Sequence, residues 1–373
     1  MRRQRAAPDH PTLADVADEA RVSLSTASRA LGDSTRVSDV TRRRVRGAAA
    51  RLGYEPNRLA RSLRTRSSFF VGIVVPDLAI GFYARAVKGA QDVLERRGYQ
   101  VLVMNTEREA SREAAAVRTL LAHRVDGILV ATSGGFERTS RVPVIFFDNL
   151  VEGAGAAQVA RANREGMSLL VDHLVEHGHE RIGYVGSPPL LTSGVERLDG
   201  YRSAIARHGL AIADELVSLG DEAWSAESGR RATRALLERE RPPTAIVAAS
   251  DTFALGAMQT ARSTGRRVPD DLAVVSYDDP FFGDLLDPPV TALARNEHQI
   301  GRLSASLLLE AIESRGAQAL TEVRVAEELI VRRSCGCAAE APAGIGGRTE
   351  PKPLSRATER APQGRRESPA AIG

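Results

Sequence analysis

Seven short apolar runs separated by amphipathic stretches constrain most of this chain: Phe69 to Val75, Gln100 to Asn105, Gly127 to Ala131, Val144 to Asp148, Arg181 to Gly186, Ala245 to Ala249 and Ala273 to Tyr277. Helical stretches lie between most of them, so the pattern predicts βαβ units and therefore α/β architecture with parallel, doubly wound sheets. About 270 residues are enough for two such subdomains with a cleft between them. Ligands in sheets of this kind bind at the carboxyl ends of the strands. That rule singles out Asp77, Asp148, Asp251 and Asp278, each just beyond an apolar run.

The residues ahead of this pattern differ in charge. Residues 1–68 hold fifteen arginines against seven acidic residues, a net +8, which leaves −4 for residues 69–373 of a chain whose total is +4. A basic front is often only a solvated tail, but this one carries helix signals. Thr12 and Asp15 make a capping box, after which Val16, Ala17 and Ala20 share a helical face. Arg21-Val22 interrupts, Ser23 offers a second N-cap, and Leu24 to Leu31 form a helix that stops at Gly32. Two helices joined so tightly predict a helix-turn-helix, whose second helix enters the major groove of DNA. Leu24, Ser25, Ser28 and Arg29 are then expected at base edges, and Arg29 is the best equipped because a guanidinium can donate two parallel bonds to guanine. Ser38 caps a third helix, with Val40, Val45, Ala48, Ala49 and Leu52 at helical spacing before Gly53.

The run Thr12-Leu13-Ala14-Asp15-Val16-Ala17, then Val22-Ser23, Ser28-Arg29-Ala30-Leu31, Arg36-Val37-Ser38, Leu52-Gly53-Tyr54, Pro56-Asn57 and Ala60-Arg61-Ser62-Leu63 resembles the headpiece of LacI/GalR transcriptional regulators. Arg21, where a small turn residue is common, and Ala27, in place of the usual valine, depart from it. The resemblance implies an operator-contacting set of Thr12, Ser23, Leu24, Ser25, Ser28, Arg29, Ser38 and Thr41, joined by Asn57, Ala60, Leu63 and Arg64. Read alone, residues 57–64 are a short basic helix in a linker. The resemblance implies a hinge helix that folds on the operator, with Leu63 as an apolar wedge that kinks the duplex at the minor groove.

The body is similar to periplasmic sugar-binding proteins. The words that carry this are Val74-Val75-Pro76-Asp77-Leu78, Phe82-Tyr83, Arg124-Val125-Asp126-Gly127, Gly178-His179-Glu180-Arg181-Ile182, Ser250-Asp251 with Ala254-Leu255-Gly256-Ala257, and Tyr277-Asp278-Asp279. The resemblance implies an effector cleft lined by Phe82, Tyr83, Asp148, Arg197, Trp224, Asp251 and Asp278. An aromatic face can stack on a sugar's C–H surface while carboxylates and an arginine bind hydroxyls. Leu78 to Phe82 lacks an Asn-Pro pair common in the family, Asn163 lacks a preceding aspartate, and Ser250 stands where an asparagine is common. Trp224 followed by Ser225 to Gly229 resembles the sugar-responsive members, whereas purine-responsive members tend to carry phenylalanine there. A saccharide or sugar-derived effector is therefore expected, with a purine or other small metabolite, or an activator role, as the alternative.

Other chemistries find little support. No apolar run approaches the roughly 20 residues that cross a bilayer, and no apolar segment follows the basic Met1 to Arg5 as an export signal requires. Two cysteines, Cys335 and Cys337, fit a reducing, cytoplasmic setting. Glycine-rich nucleotide motifs and a Gly-x-Ser-x-Gly elbow are absent, so no enzyme and no cofactor are expected. A pure solute-binding protein would have no use for the headpiece. His173 and His177 have a zinc-compatible spacing with His179 beyond, but histidines also suit a helix's last turn, and Gly178 is an ordinary stop. Cys335-Gly336-Cys337 has no further cysteine to join it and is expected as exposed thiols, so no metal is expected. The tail from Ala338, rich in Ala, Pro, Gly and Arg, is expected to be disordered and offers no leucine heptads. The expected organisation is a basic arm (1–11), a headpiece (12–56), a hinge (57–68), and a dimer-forming body (69–337). Within that body, 69–161 with 296–321 and 162–290 with 322–337 make the two subdomains. The expected partners are double-stranded operator DNA, a small effector and a second copy of the chain, with no membrane.

Overall fold

The computed structural model describes residues 11–32, 37–54, 67–134, 136, 142–221, 224–281, 283–314 and 321–337. Asn57, Ala60, Leu63 and Arg64, the arm before Pro11 and the tail lie outside the described residues. No helix among the described residues is long and apolar enough to cross a membrane.

Three helices open the chain: α1 (Leu13–Glu19), α2 (Leu24–Leu31) and α3 (Asp39–Leu52). The capping box at Thr12 and Asp15 is formed in both directions, and the hydroxyls of Ser23 and Ser38 accept from the backbone N–H of Thr26 and Thr41. Val16, Ala17, Ala20, Ala27, Ala30, Val45, Ala48 and Ala49 bury a small common core. Val40 is not part of it and is 67% exposed. Five residues before Val45, it is turned about 140° from the stripe of Val45, Ala48, Ala49 and Leu52. In the turn between α1 and α2, Arg21 has φ +50°, where the Cβ crowds the following carbonyl. This is the physical reason for a small residue there.

The body begins with β1 (Phe70–Val75), α4 (Gly81–Arg96), β2 (Gln100–Asn105), α5 (Ala110–Ala122), β3 (Gly127–Val130), β4 (Val144–Phe147) and β5 (Gln158–Arg161). It continues through α6 (Asn163–Glu176), β6 (Ile182–Gly186), α7 (Thr192–Arg207), β7 (Val217–Leu219), α8 (Ala226–Leu237), β8 (Ala245–Ala248), α9 (Asp251–Ser263), β9 (Ala273–Ser276) and β10 (Thr291–Leu293). It closes with α10 (Glu297–Glu313), β11 (Glu322–Val325) and β12 (Leu329–Ile330). The first lobe's sheet has the order β11-β5-β4-β3-β1-β2 and the second's β12-β10-β9-β8-β6-β7; every pairing is parallel except β10 with β12. Each sheet turns back on itself beside its first strand, between β1 and β3 in one and between β6 and β8 in the other. Ligand crevices of doubly wound sheets form at such points. All seven predicted runs are strands, within a residue at each end.

The division of the body differs from expectation at one place. The expected second subdomain includes residues 322–325, but β11 pairs with β5 from Glu322 opposite Gln158 to Val325 opposite Arg161. A four-residue edge strand with one buried side chain carries no mark of which sheet it joins. The chain thus crosses between lobes at Ala162, between β10 and α10, and after Val325. These crossings bond to one another: Ala162 N donates to Val325 O at 2.9 Å and Ala294 N to Glu328 O at 2.7 Å. Helix α10 is locked onto α4 by backbone approach, since a Cβ on Gly301 would lie 1.9 Å from Ala86 O and one on Gly89 2.1 Å from His298 O. Cys335, expected to be exposed, is buried in the second lobe's core among Val274, Leu272 and their neighbours. The returning chain lays Ser334 alongside β9, with Val274 N donating to Ser334 O at 2.8 Å.

Candidate functional site

Two surfaces carry the chemistry. On α2, Ala27 and Ala30 face the core, which turns positions 24, 25, 28 and 29 to the opposite side of the helix. Leu24 is 54% exposed, Ser25 and Arg29 are exposed, and Ser28 is half-buried. A guanidinium and hydroxyls on the outward face of a second helix suit the major groove, where arginine reads guanine and serine reads less selectively. The hydroxyls of Thr12, Ser23, Ser38 and Thr41 already serve the helix ends: Ser23 Oγ lies 2.8 Å from Thr26 Oγ1 and Ser38 Oγ 3.0 Å from Thr41 Oγ1. They hold the helix starts where backbone phosphates would approach.

Between the lobes lies a cleft of about 570 Å³, and Phe82, Tyr83, Asp148, Arg197, Trp224, Asp251 and Asp278 all line it, as does Asp77. Its position follows from topology. Asp77, Asp148, Asp251 and Asp278 leave the carboxyl ends of β1, β4, β8 and β9, while Phe82 and Tyr83 sit in the first turn of α4 and Arg197 on α7.

Arg197 is the hub of the second-lobe wall. Its Nη1 donates to Ala249 O at 2.7 Å and lies 3.6 Å from Asp278 Oδ2, and its Nε donates to Asn163 Oδ1 at 3.0 Å. Its guanidinium carbon is 3.8 Å from the Tyr277 ring centroid and 5.5 Å from that of Trp224. Each such stack contributes about 0.5–2 kcal/mol. Across the cleft, Tyr83 donates from its hydroxyl to Asp148 Oδ2 at 2.9 Å. Burial pushes the Asp148 carboxyl up, against the pull of Arg197 and of the Tyr83 hydrogen bond. Asp148 also has φ +72°, backbone strain of the kind that collects at ligand sites. Burial, and then the charge of Asp278, push Asp251 up to about 6.

The three family departures resolve locally. Ser250 caps α9, its hydroxyl accepting from Phe253 N at 3.3 Å, and lines the cleft. Asn163 positions Arg197 without the missing aspartate and donates to Glu196 Oε2 at 3.1 Å. Ala79, Ile80 and Gly81, in the segment that lacks the Asn-Pro pair, all stand in the wall.

Several residues escaped sequence reasoning. Arg161, buried at the first crossing, donates to both carboxylate oxygens of Glu327 at 2.7 Å, bonds Asp278, and stacks 4.4 Å from Tyr277. Asn149 and Ser193 bond across the cleft mouth, and Arg108 lines it. A charged residue closing the apolar run Val159-Ala160 was a signal for Arg161. Nothing local marks Glu327, whose partner is 166 residues away.

A helix-turn-helix with a polar outward face and a two-lobed cleft lined with polar and aromatic groups define a DNA-binding regulator with a small-molecule receptor body. Family models agree for both parts: "Bacterial regulatory proteins, lacI family" matches residues 12–57, and "Periplasmic binding protein-like domain" matches residues 171–335. The chain is 31% identical over 332 residues to the HTH-type transcriptional repressor CytR of Escherichia coli (strain K12), covering 87% of this chain and 96% of that one. The structure is similar to the lac repressor dimer bound to operator and the anti-inducer ONPF (TM-score 0.77, 29% identity, 88% and 99% of the two chains). It is also similar to the CelR–cellobiose complex (TM-score 0.65, 32% identity, 87% and 100%). The chain belongs to the LacI family of bacterial transcriptional regulators, and it is a DNA-binding regulator, not an enzyme.

Proposed function

We propose that this regulator is a cytoplasmic, dimeric repressor whose hold on a pseudo-palindromic operator is set by a saccharide or sugar-derived effector in the cleft. The observation that carries the effector class is the convergence of Trp224, Arg197, Asp148, Asp251 and Asp278 on one cavity. The flat ring offers a face to C–H groups while guanidinium and carboxylates offer both donors and acceptors to hydroxyls. The cavity volume lies in the range that encloses a small ligand, and a relative binds cellobiose in its solved complex. On the DNA side, Arg29, Ser25, Ser28 and Leu24 read bases. Thr12, Ser23, Ser38 and Thr41 hold phosphates, and residues 57–64 form the hinge that bends the operator through Leu63. Effector changes the angle between lobes and with it the spacing of the two hinges.

Trp224 is the only tryptophan in the chain, so its fluorescence reports the cleft. Titration with a panel of mono- and disaccharides should give a saturable change for the cognate sugar. Operator DNA should shift that affinity by the same factor by which sugar shifts operator affinity. A panel without effect on Trp224 emission, alongside a nucleobase that binds and moves the operator equilibrium, would overturn the saccharide reading.

A further inference from the structure

Far from the cleft, the structure brings together four soft ligand groups that are distant in sequence. Helix α6 ends at Glu176, with His173 in its last turn and His177 as its C-cap. Cys337 Sγ lies 2.9 Å from His177 Nε2 and 3.5 Å from His173 Nε2, and Cys335 Sγ lies 3.1 Å from Cys337 Sγ. The ligand atoms of His173, His177 and Cys337 all fall within 4.8 Å of one another. Two imidazoles and one thiol at such separations match the reach of a tetrahedral ion with metal–sulfur bonds near 2.3 Å and metal–nitrogen bonds near 2.0 Å; Cys335 Sγ, beside Cys337, is turned to Thr291 Oγ1 at 3.1 Å and Arg332 O at 3.3 Å.

The tautomer of His177 is also fixed. Its Nδ1 lies 2.7 Å from His173 O. A carbonyl can only accept, so Nδ1 carries the proton and Nε2 keeps its lone pair, aimed at Cys337. This backbone anchoring of the second ring nitrogen is the usual support of a metal-bound histidine. Cys335 is 1% exposed and His173 7%, so one side of the cluster is closed to water, while Cys337 and His177 are open enough for an ion to enter.

We propose that His173, His177 and Cys337, with Cys335 turning its thiol from Thr291 to supply the fourth ligand, form a binding site for a thiophilic transition-metal ion of the zinc class, which ties the returning C-terminal segment of the second lobe to the end of α6. Two thiolates and two neutral imidazoles balance a divalent charge, and the two thiol protons leave to solvent on binding. The start of the same helix holds Asn163 against Arg197, and 14 residues of helix span about 21 Å. The ion would therefore brace the helix that positions the cleft's central arginine without occupying the cleft.

The test uses tag-free, full-length protein, reduced and stripped with chelator, titrated with Co²⁺ and then Zn²⁺. One Co²⁺ per chain should bind with a thiolate-to-cobalt charge-transfer absorption and intense tetrahedral visible bands, which Zn²⁺ abolishes by displacement. Zn²⁺ should raise the Tm of the wild type. Cys337→Ser and His177→Gln, at the accessible side of the cluster, should each weaken Co²⁺ binding at least tenfold and remove the Zn²⁺-dependent Tm rise while operator binding persists. The proposal is overturned if no charge-transfer band appears, if both variants bind Co²⁺ as the wild type does, or if the reduced protein ignores both ions and readily forms a Cys335–Cys337 disulfide.

Discussion

Ser193, at the start of α7 in the second lobe, donates from its backbone N at 3.1 Å and from its hydroxyl at 2.8 Å to the same oxygen, Oδ1 of Asn149 in the first lobe. Thr192 adds a bond from its hydroxyl to Leu150 O at 2.9 Å. These contacts tie the lobes at the cleft mouth. Asn149→Ala should favour the open form and lower effector affinity by about two- to tenfold, the worth of roughly 0.5–1.5 kcal/mol. Isothermal titration together with the small-angle scattering radius of the unliganded protein would check this. An unchanged radius with unchanged affinity would count against the latch.

Arg29 stands exposed on the outward face of α2. Arg29→Ala should relax base preference at one pair in each half-site, at a cost of about 1–3 kcal/mol against the cognate operator, with little loss on random DNA. A binding selection on randomised half-sites measures it; a uniform loss over all sequences would instead make Arg29 a phosphate contact.

The turn residue Arg21, with its φ of +50°, carries strain that glycine relieves. Arg21→Gly should stabilise the three-helix module by about 1 kcal/mol, the left-handed penalty less glycine's extra chain entropy. Thermal unfolding of residues 12–56 within the intact protein, followed by amide exchange, should show the gain in α1 and α2. A lower stability would mean that the arginine side chain makes a compensating contact.

Asp251 gives a pH signature. Its carboxyl is raised from 3.8 to about 6, so the folded state holds this proton more tightly than the unfolded chain does. That contribution to stability is complete below pH 3.8 and is lost as pH rises through about 6. Asp251→Asn removes the buried charge and should raise Tm at about pH 7.5, by the equivalent of about 1–2 kcal/mol, with a smaller gain at about pH 5. A gain equal at both pH values would locate the effect elsewhere.

Much of this was legible in the sequence because the signals are local. A strand buried on both faces must be a continuous apolar run, so six of the seven announced themselves in that way, while the edge strand β2 was marked by its run Val101-Leu102-Val103-Met104; the aspartates after β1, β4, β8 and β9 marked the cleft. What stayed hidden depends on distant partners. β7, β10 and β12 are only two or three residues long, and β5 and β11 each place two polar or charged residues among four, so none reads as an apolar run. The Arg161–Glu327 pair, like the meeting of Cys337 with His177, exists only after the chain has crossed between lobes.

Those crossings also impose a schedule on synthesis. The three-helix module is complete once Leu52 has emerged from the ribosome, and most of the second lobe is contiguous from Asn163 to Leu293. The first lobe begins earlier yet stays incomplete while most of the second is made, because α10 and β11 arrive only with residues 297–325; the second lobe then needs only β12 and the segment through Cys335. At roughly 5–20 residues per second, β5 waits about ten to thirty seconds for the strand that covers its edge. For that interval the face of α4 around Gly89 and the edge of β5 are open on the nascent chain. A message truncated between codons 293 and 297 therefore yields a protein that has its first three helices and most of its second lobe, but a first lobe that cannot close.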